Sequence, residues 1–278
     1  MTYPPHEHVL RDIRISTERI AQDHGLCIVP VTDHIRNAAG NAGIGVIVAC
    51  ADIAGSIAAI AAATPDWTAT IDLSLHAVGP IVDGPILAES RLVRAGSNII
   101  VIRLDVFDGR GGDDPAHGTL ALAGLVSFAR LPRHASELAD DSRRRLIGVR
   151  STMARDDTHL REPLAGRLGL SIVDAARGVV ELAKTDYVRN SLGTINGGVH
   201  GMLYQAAAEA AVDGMVATDM SIHYLAQAKI GPARTSLRIL RSAADHAVCE
   251  AHAVDAGDGD KLISHAMITL QRINANGG

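Results

Sequence analysis

Apolar and polar positions follow two rhythms along this chain. An almost unbroken apolar stretch from Gly43 to Ala63, interrupted by Asp52 near its middle, has the length and character of a helix buried on all sides. Alternating runs separated by turn residues come next: Ile71 to Val78, Ile86 to Val93, Ile99 to Phe107 and Leu120 to Leu131. Their period of two predicts antiparallel strands. The same order then recurs, with an Ala-rich helix after Gly198 followed by Ser221 to Ala226, Thr235 to Leu240, Ala247 to Val254 and Leu262 to Ile273. The first 25 residues mix charge and apolar character without a secretory-signal pattern, and a short leading helix is expected there.

The recurrence extends to individual residues. Asn37-Ala-Ala-Gly40 aligns with Asn190-Ser-Leu-Gly193, and Gly45-Val46 with Gly198-Val199, at a shift of 153 positions. Ala69-Thr-Ile-Asp72-Leu-Ser-Leu-His76 aligns with Val216-Ala-Thr-Asp219-Met-Ser-Ile-His223 at a shift of 147. The six missing residues fall between helix and strand, so the second helix is expected to be the shorter. The organisation read from this is a first repeat over 1–132, a charged connector over 133–166 and a second repeat over 167–278. Each repeat is expected to be α+β, an antiparallel sheet wrapped around a long central helix. The glycine- and aspartate-rich segments Asp108 to Asp114 and Asp255 to Asp260 read as solvated hairpin turns.

Composition narrows the chemistry. With 278 residues, 47% of them hydrophobic and only 3% aromatic, the chain can fill two cores with small aliphatic side chains. A net charge of -5 argues against nucleic acid or an anionic membrane as the main partner. Gly43 to Ala63 is long enough to span a bilayer, but Asp52 within it and the lack of basic flanks favour a helix inside a soluble domain. Cys27, Cys50 and Cys249 are scattered and odd in number, which suits a reducing cytoplasm better than a disulfide framework. None of the 13 histidines falls in a metal-ligand spacing, so neither metal nor cofactor is expected. The nucleophile-elbow, P-loop and dinucleotide-binding glycine patterns are absent.

The run Asn190-Ser-Leu-Gly-Thr-Ile-Asn-Gly197-Gly198-Val, followed by Thr218-Asp-Met-Ser-Ile-His-Tyr-Leu-Ala-Gln-Ala-Lys-Ile-Gly231, resembles the hotdog thioesterases of the phenylacetyl-CoA and hydroxybenzoyl-CoA type. The resemblance covers about 100 residues of the second repeat and, more weakly, a similar length of the first. It implies a tandem double hotdog that hydrolyses an acyl-CoA and assembles further as a homo-oligomer. In that family an acid follows the working glycine by eight residues, about 12 Å of helical rise, so one helix cannot offer both groups to one carbonyl. A facing helix must bring the acid, and the fusion supplies it.

Transferred by position, the resemblance puts the oxyanion-binding glycine on Gly197, its helper on Asn190 and the acid position of the second repeat on Gln205, which cannot act as a base. In the first repeat the acid falls on Asp52 and the water-holding hydroxyl on Thr70, while Ile44 occupies the glycine position. One complete site is expected, with Asp52, Gly197, Asn190 and Thr70 catalytic and Gly198, Asn196 and Gln205 binding substrate. Asp52 would act as general base or as nucleophile. A second register puts the family's His-Gly pair on His200-Gly201 and the acid on Glu209. Two other functions fit the pattern: an enoyl-CoA hydratase or dehydratase using His200 with Glu209, and a non-catalytic acyl-CoA-binding module.

Overall fold

The computed structural model describes residues 3–132 and 146–273. After α1 (Val9–Asp12), a single turn, the chain forms β1 (Ser16–Ala21) and β2 (His24–Val29), then α2 (Ile44–Ala63), β3 (Trp67–Ala77), β4 (Ile86–Ala95), β5 (Ile99–Asp108) and β6 (Thr119–Leu131). The second half runs through β7 (Arg150–Thr152), α3 (Leu164–Arg167), β8 (Ser171–Asp174) and β9 (Val179–Leu182) to α4 (Gly197–Ala211). It ends with β10 (Met215–Tyr224), β11 (Ala233–Ser242), β12 (His246–Asp255) and β13 (Lys261–Arg272). All strands join one antiparallel sheet in the order β7-β1-β2-β4-β5-β6-β3-β10-β13-β12-β11-β9-β8.

The four strands expected after each helix are present, and α4 is shorter than α2, at 15 residues against 20. The expected leading helix shrinks to one turn. From Ser16 onward the chain instead forms the β1–β2 hairpin, and β1 finds a second partner far along the chain in β7, with Ser16 opposite Thr152. Of the charged connector, residues 133–145, with Arg133, Glu137, Asp140, Asp141, Arg143, Arg144 and Arg145, lie outside the described residues. Its later part packs on the first half, where Arg150 pairs with Glu18 at 3.1 Å and with Asp113.

The turns after β5 and β12 are largely exposed, as expected of solvated hairpins, except for the aspartate that opens each. Asp108 accepts hydrogen bonds from the backbone N–H groups of Val82, Asp83, Gly84 and Arg110, and Asp255 from those of Lys229, Ile230 and Gly231. Both carboxylates are buried. Burial alone would raise their pKa values, but the ring of N–H donors holds both below the usual range.

The halves meet along β3 and β10, where Ser74 stands opposite Ser221. Two reciprocal pairs cross this seam, His223 Nδ1 to Asp72 Oδ1 at 3.0 Å and His76 Nδ1 to Asp219 Oδ1 at 3.9 Å. Behind it, α2 is apolar around its whole circumference and must be covered everywhere. The sheet covers most of it and α4 the rest, so this membrane-length helix is mostly buried. The two helices run antiparallel and touch almost backbone to backbone. A Cβ on Gly45 would come within 2.5 Å of the Met202 Cα, and one on Gly198 within 2.3 Å of the Ala49 Cβ. Gly198→Ala should therefore overpack the crossing and cost about 3 kcal/mol, read as a lower urea midpoint at unchanged m-value.

Candidate active site

The antiparallel crossing sets each helix's N-terminus beside the third turn of the other. At one end, Asp52 of α2 faces Gly197, the first residue of α4. Its Oδ2 lies 2.8 Å from the point that a Cβ on Gly197 would occupy. A Cβ sits roughly 2.5 Å from its own amide nitrogen, so carboxylate and amide are no more than about 5.3 Å apart. The N–H of a first helical residue has no intrahelical acceptor, and that of Gly197 has no hydrogen-bond partner among the described residues. Gly197 is itself partly exposed. An unpaired N–H at the positive end of a 15-residue helix thus stands next to a carboxylate.

Asp52 is only 8% exposed. Burial raises its pKa from 3.8 to about 6, opposed by the Thr70 hydroxyl, which donates to Oδ1 at 2.7 Å. Thr70 reaches inward because of a bulge. Leu73 and Leu75 are buried, so unbroken alternation would turn Thr70 outward, but the β3–β6 register slips between Thr70 and Asp72 and reverses it. The equivalent slip in β10 lies between Ala217 and Asp219, and there the inward position is Ala217, without a hydroxyl.

The other expected site residues build the frame. Asn190 Oδ1 accepts from the N–H groups of Leu192 and Thr194 at 2.9 and 3.2 Å, folding its own loop around Gly193 at φ +78°. Asn37 makes the same turn before α2, with bonds from Ala39 and Asn41. The Asn-x-x-Gly signature therefore shapes both helix entries, and of the two roles that such an asparagine can take, orienting a carbonyl or capping its own loop, these bonds are those of the cap. Asn196 caps α4 by accepting from Gly198 N–H at 2.9 Å. With that N–H taken and its Cα face pressed on Ala49, Gly198 is a packing residue rather than a substrate contact.

Gln205 lies at the opposite end of the helix pair, eight residues or about 12 Å from Gly197. Its Oε1 accepts from Gly45 N–H at 2.9 Å and its Nε2 donates to Glu209 Oε1 at 3.1 Å. Here the carboxamide takes the second N–H of the helix, as Asn196 does in α4, and Ile44 stands where α4 has Gly197. Burial raises the Glu209 pKa to about 7, moderated by the Ala217 N–H and Gln205. His200 is buried, with Nδ1 2.8 Å from Ser264 Oγ, and burial lowers its pKa to about 4. The alternative pairing of His200 with Glu209 is not formed, because nine residues of one helix, roughly 13 Å, separate them.

Sequence reasoning missed Tyr224, whose hydroxyl donates to the Gly197 carbonyl oxygen at 3.0 Å. The available signal was the exchange of Tyr224 for Ala77 at the matching position of the first half. Two surface hollows, of about 40 Å³ beside Ile13 and His159 and about 250 Å³ beside Ser236 and His252, border none of these residues. Asp52, Thr70, Gly197 and Tyr224 come together around the gap between the Gly197 amide and the Asp52 carboxylate, with Asp52 buried and the other three partly exposed.

Residues 40–114, the segment carrying Asp52 and Thr70, match the family described as the Thioesterase superfamily. No curated protein matches the chain in sequence. Among solved structures, the tesB protein of Mycobacterium avium subspecies paratuberculosis is similar at 13% identity and a TM-score of 0.58, over 92% of this chain and 95% of that one. The 12:0-ACP thioesterase of Umbellularia californica is similar at 10% identity and a TM-score of 0.57, over 90% and 94%. A conserved protein with a hot dog fold from Alicyclobacillus acidocaldarius is similar at 8% identity and a TM-score of 0.55, over 97% and 99%. Likeness at such identities is likeness of fold, and the fold this chain shares over nearly its whole length with the last of these is the hotdog.

Proposed function

We propose that the chain is a tandem double hotdog, with repeats over 1–132 and 167–278, that hydrolyses an acyl-CoA at one composite site between them. The observation that carries this reading is the Asp52 carboxylate held beside the unpaired Gly197 N–H. The substrate carbonyl oxygen accepts from Gly197 N–H at the α4 N-terminus, where negative charge developing on it is stabilised. Asp52 removes a proton from water as its oxygen attacks the carbonyl carbon. Collapse of the tetrahedral intermediate breaks the carbon–sulfur bond. The departing thiolate takes the proton from Asp52, leaving a carboxylic acid and the free thiol of coenzyme A. Thr70 fixes the carboxylate by donating to its other oxygen.

The match of residues 40–114 to the Thioesterase superfamily and the thioesterases among the similar structures support this chemistry. Hydratase chemistry is the weaker reading because His200 has no acidic partner among the described residues. The reading includes a cytoplasmic setting, in keeping with three free buried cysteines, and further assembly as a homo-oligomer. It is tested by thiol release from a panel of short, medium and aromatic acyl-CoAs. Release above the solution rate is expected for at least one; hydration of an enoyl-CoA without thiol release overturns the proposal.

A further inference from the structure

Gly197 is a weak point in a site that depends on one amide. Without a Cβ its φ and ψ are loosely restrained, and drift in them would blur the direction of its N–H. The following peptide group is nevertheless held at both ends by side chains. Asn196 Oδ1 accepts from Gly198 N–H, and the Tyr224 hydroxyl donates to the Gly197 carbonyl oxygen at 3.0 Å. The Tyr224 oxygen also lies 3.5 Å from the point a Gly197 Cβ would take, on which Asp52 Oδ2 closes to 2.8 Å.

The ring of Tyr224 is fixed in turn. It meets His200 edge-on, with ring centroids 5.6 Å apart and planes at 77°. His200 is tied to Ser264 Oγ at 2.8 Å, and Ser264 Oγ to the Tyr204 hydroxyl at 2.8 Å. Burial first, and then the Asp52 charge, keep the Tyr224 phenol well above its ordinary pKa, so it remains a donor throughout the working range. The first half has Ala77 in this position, and Ile44 where α4 has Gly197.

We propose that Tyr224 is a positioning residue of the thioester site, fixing the peptide that follows Gly197 and through it the torsions that aim the Gly197 N–H at the substrate carbonyl beside Asp52. This rests on the thioester-hydrolase reading and explains why the working end of the helix pair is the one with the tyrosine. It also gives His200 a role, that of bracing the Tyr224 ring.

Tyr224→Phe keeps the ring and removes the hydroxyl. Thiol release should fall roughly 10- to 100-fold in kcat, with KM within about threefold of the parent, because the loss falls on the stabilised oxyanion. The acid limb of the pH profile should stay in place, since Thr70 and not Tyr224 donates to Asp52. A kcat within about twofold of the parent overturns the inference, as does a loss accompanied by an equal change in KM or a shifted acid limb. A parent protein that releases no thiol from any acyl-CoA overturns both proposals, whereas a parent that turns over no faster than Tyr224→Phe overturns only the tyrosine's role.

Discussion

Asp52→Asn is expected to lower thiol release by about 10²- to 10⁴-fold while making the folded protein more stable. The rate loss follows from removing the proton acceptor, since a carboxamide of nearly the same shape still accepts from Thr70 but cannot take a proton from water. In the parent, activity should rise as pH passes through about 6, where the buried carboxyl ionises, and level off above it. The stability effect has its own sign. A carboxyl whose folded pKa is raised from 3.8 to about 6 binds its proton more tightly folded than unfolded. Folding therefore carries no penalty from it below pH 3.8, a growing one between 3.8 and about 6, and the full penalty above, on the order of 3 kcal/mol. Asparagine removes that penalty. Urea unfolding at pH 7.5 should show the variant more stable than the parent, and the gain should vanish near pH 3.5. Equal turnover by the two proteins would remove Asp52 as base; equal stability at pH 7.5 would mean that its carboxylate is solvated.

The elements that bury one face, and the order in which they recur, were open to sequence reading because hydrophobic period is a local property. Strands such as β5, whose buried Ile100, Ile102, Leu104 and Val106 alternate with outward positions, announce themselves within ten residues. β1 does not, since its only fully local feature is a mixed run, Ser16 to Ala21, and one of its two neighbours is β7, more than 130 residues later. The buried roles of Asp108 and Asp255 were equally hidden. A carboxylate in a glycine-rich turn looks solvated until the loops carrying Gly84 and Gly231 fold over it. The site divides in the same way. Asp52 and Gly197 were reached through the family resemblance, and the internal repeat then set each opposite a residue, Gln205 or Ile44, that lacks its chemistry. Thr70 turning inward depends on a one-residue bulge that no alternation pattern reveals, and Tyr224 on a contact between the end of β10 and the start of α4.

Gly197→Ala should reduce kcat/KM by roughly 10²- to 10³-fold with little change in stability, the opposite balance to its neighbour Gly198. The two glycines differ in what a methyl group meets. At Gly198 it would press on the Ala49 Cβ at 2.3 Å and Cα at 2.4 Å, part of a helix that cannot retreat, and the fold bears the cost. At Gly197 it would meet Asp52 Oδ2 at 2.8 Å and the Tyr224 hydroxyl at 3.5 Å, the ends of two side chains. Gly197 is not among the residues at positive φ, so alanine fits its backbone without strain. The methyl instead fills the gap between the N–H and the carboxylate. It pushes Asp52 against its bond to Thr70 and blocks the approach of a carbonyl carbon and a water between them. Paired measurements on the two alanine variants separate packing from chemistry. Gly198→Ala should lose stability and keep kcat per folded molecule within a few fold, whereas Gly197→Ala should keep its urea midpoint and lose turnover. If Gly197→Ala hydrolyses acyl-CoA at the parent rate, the α4 amide does not hold the oxyanion and the gap beside Asp52 is not where the thioester binds.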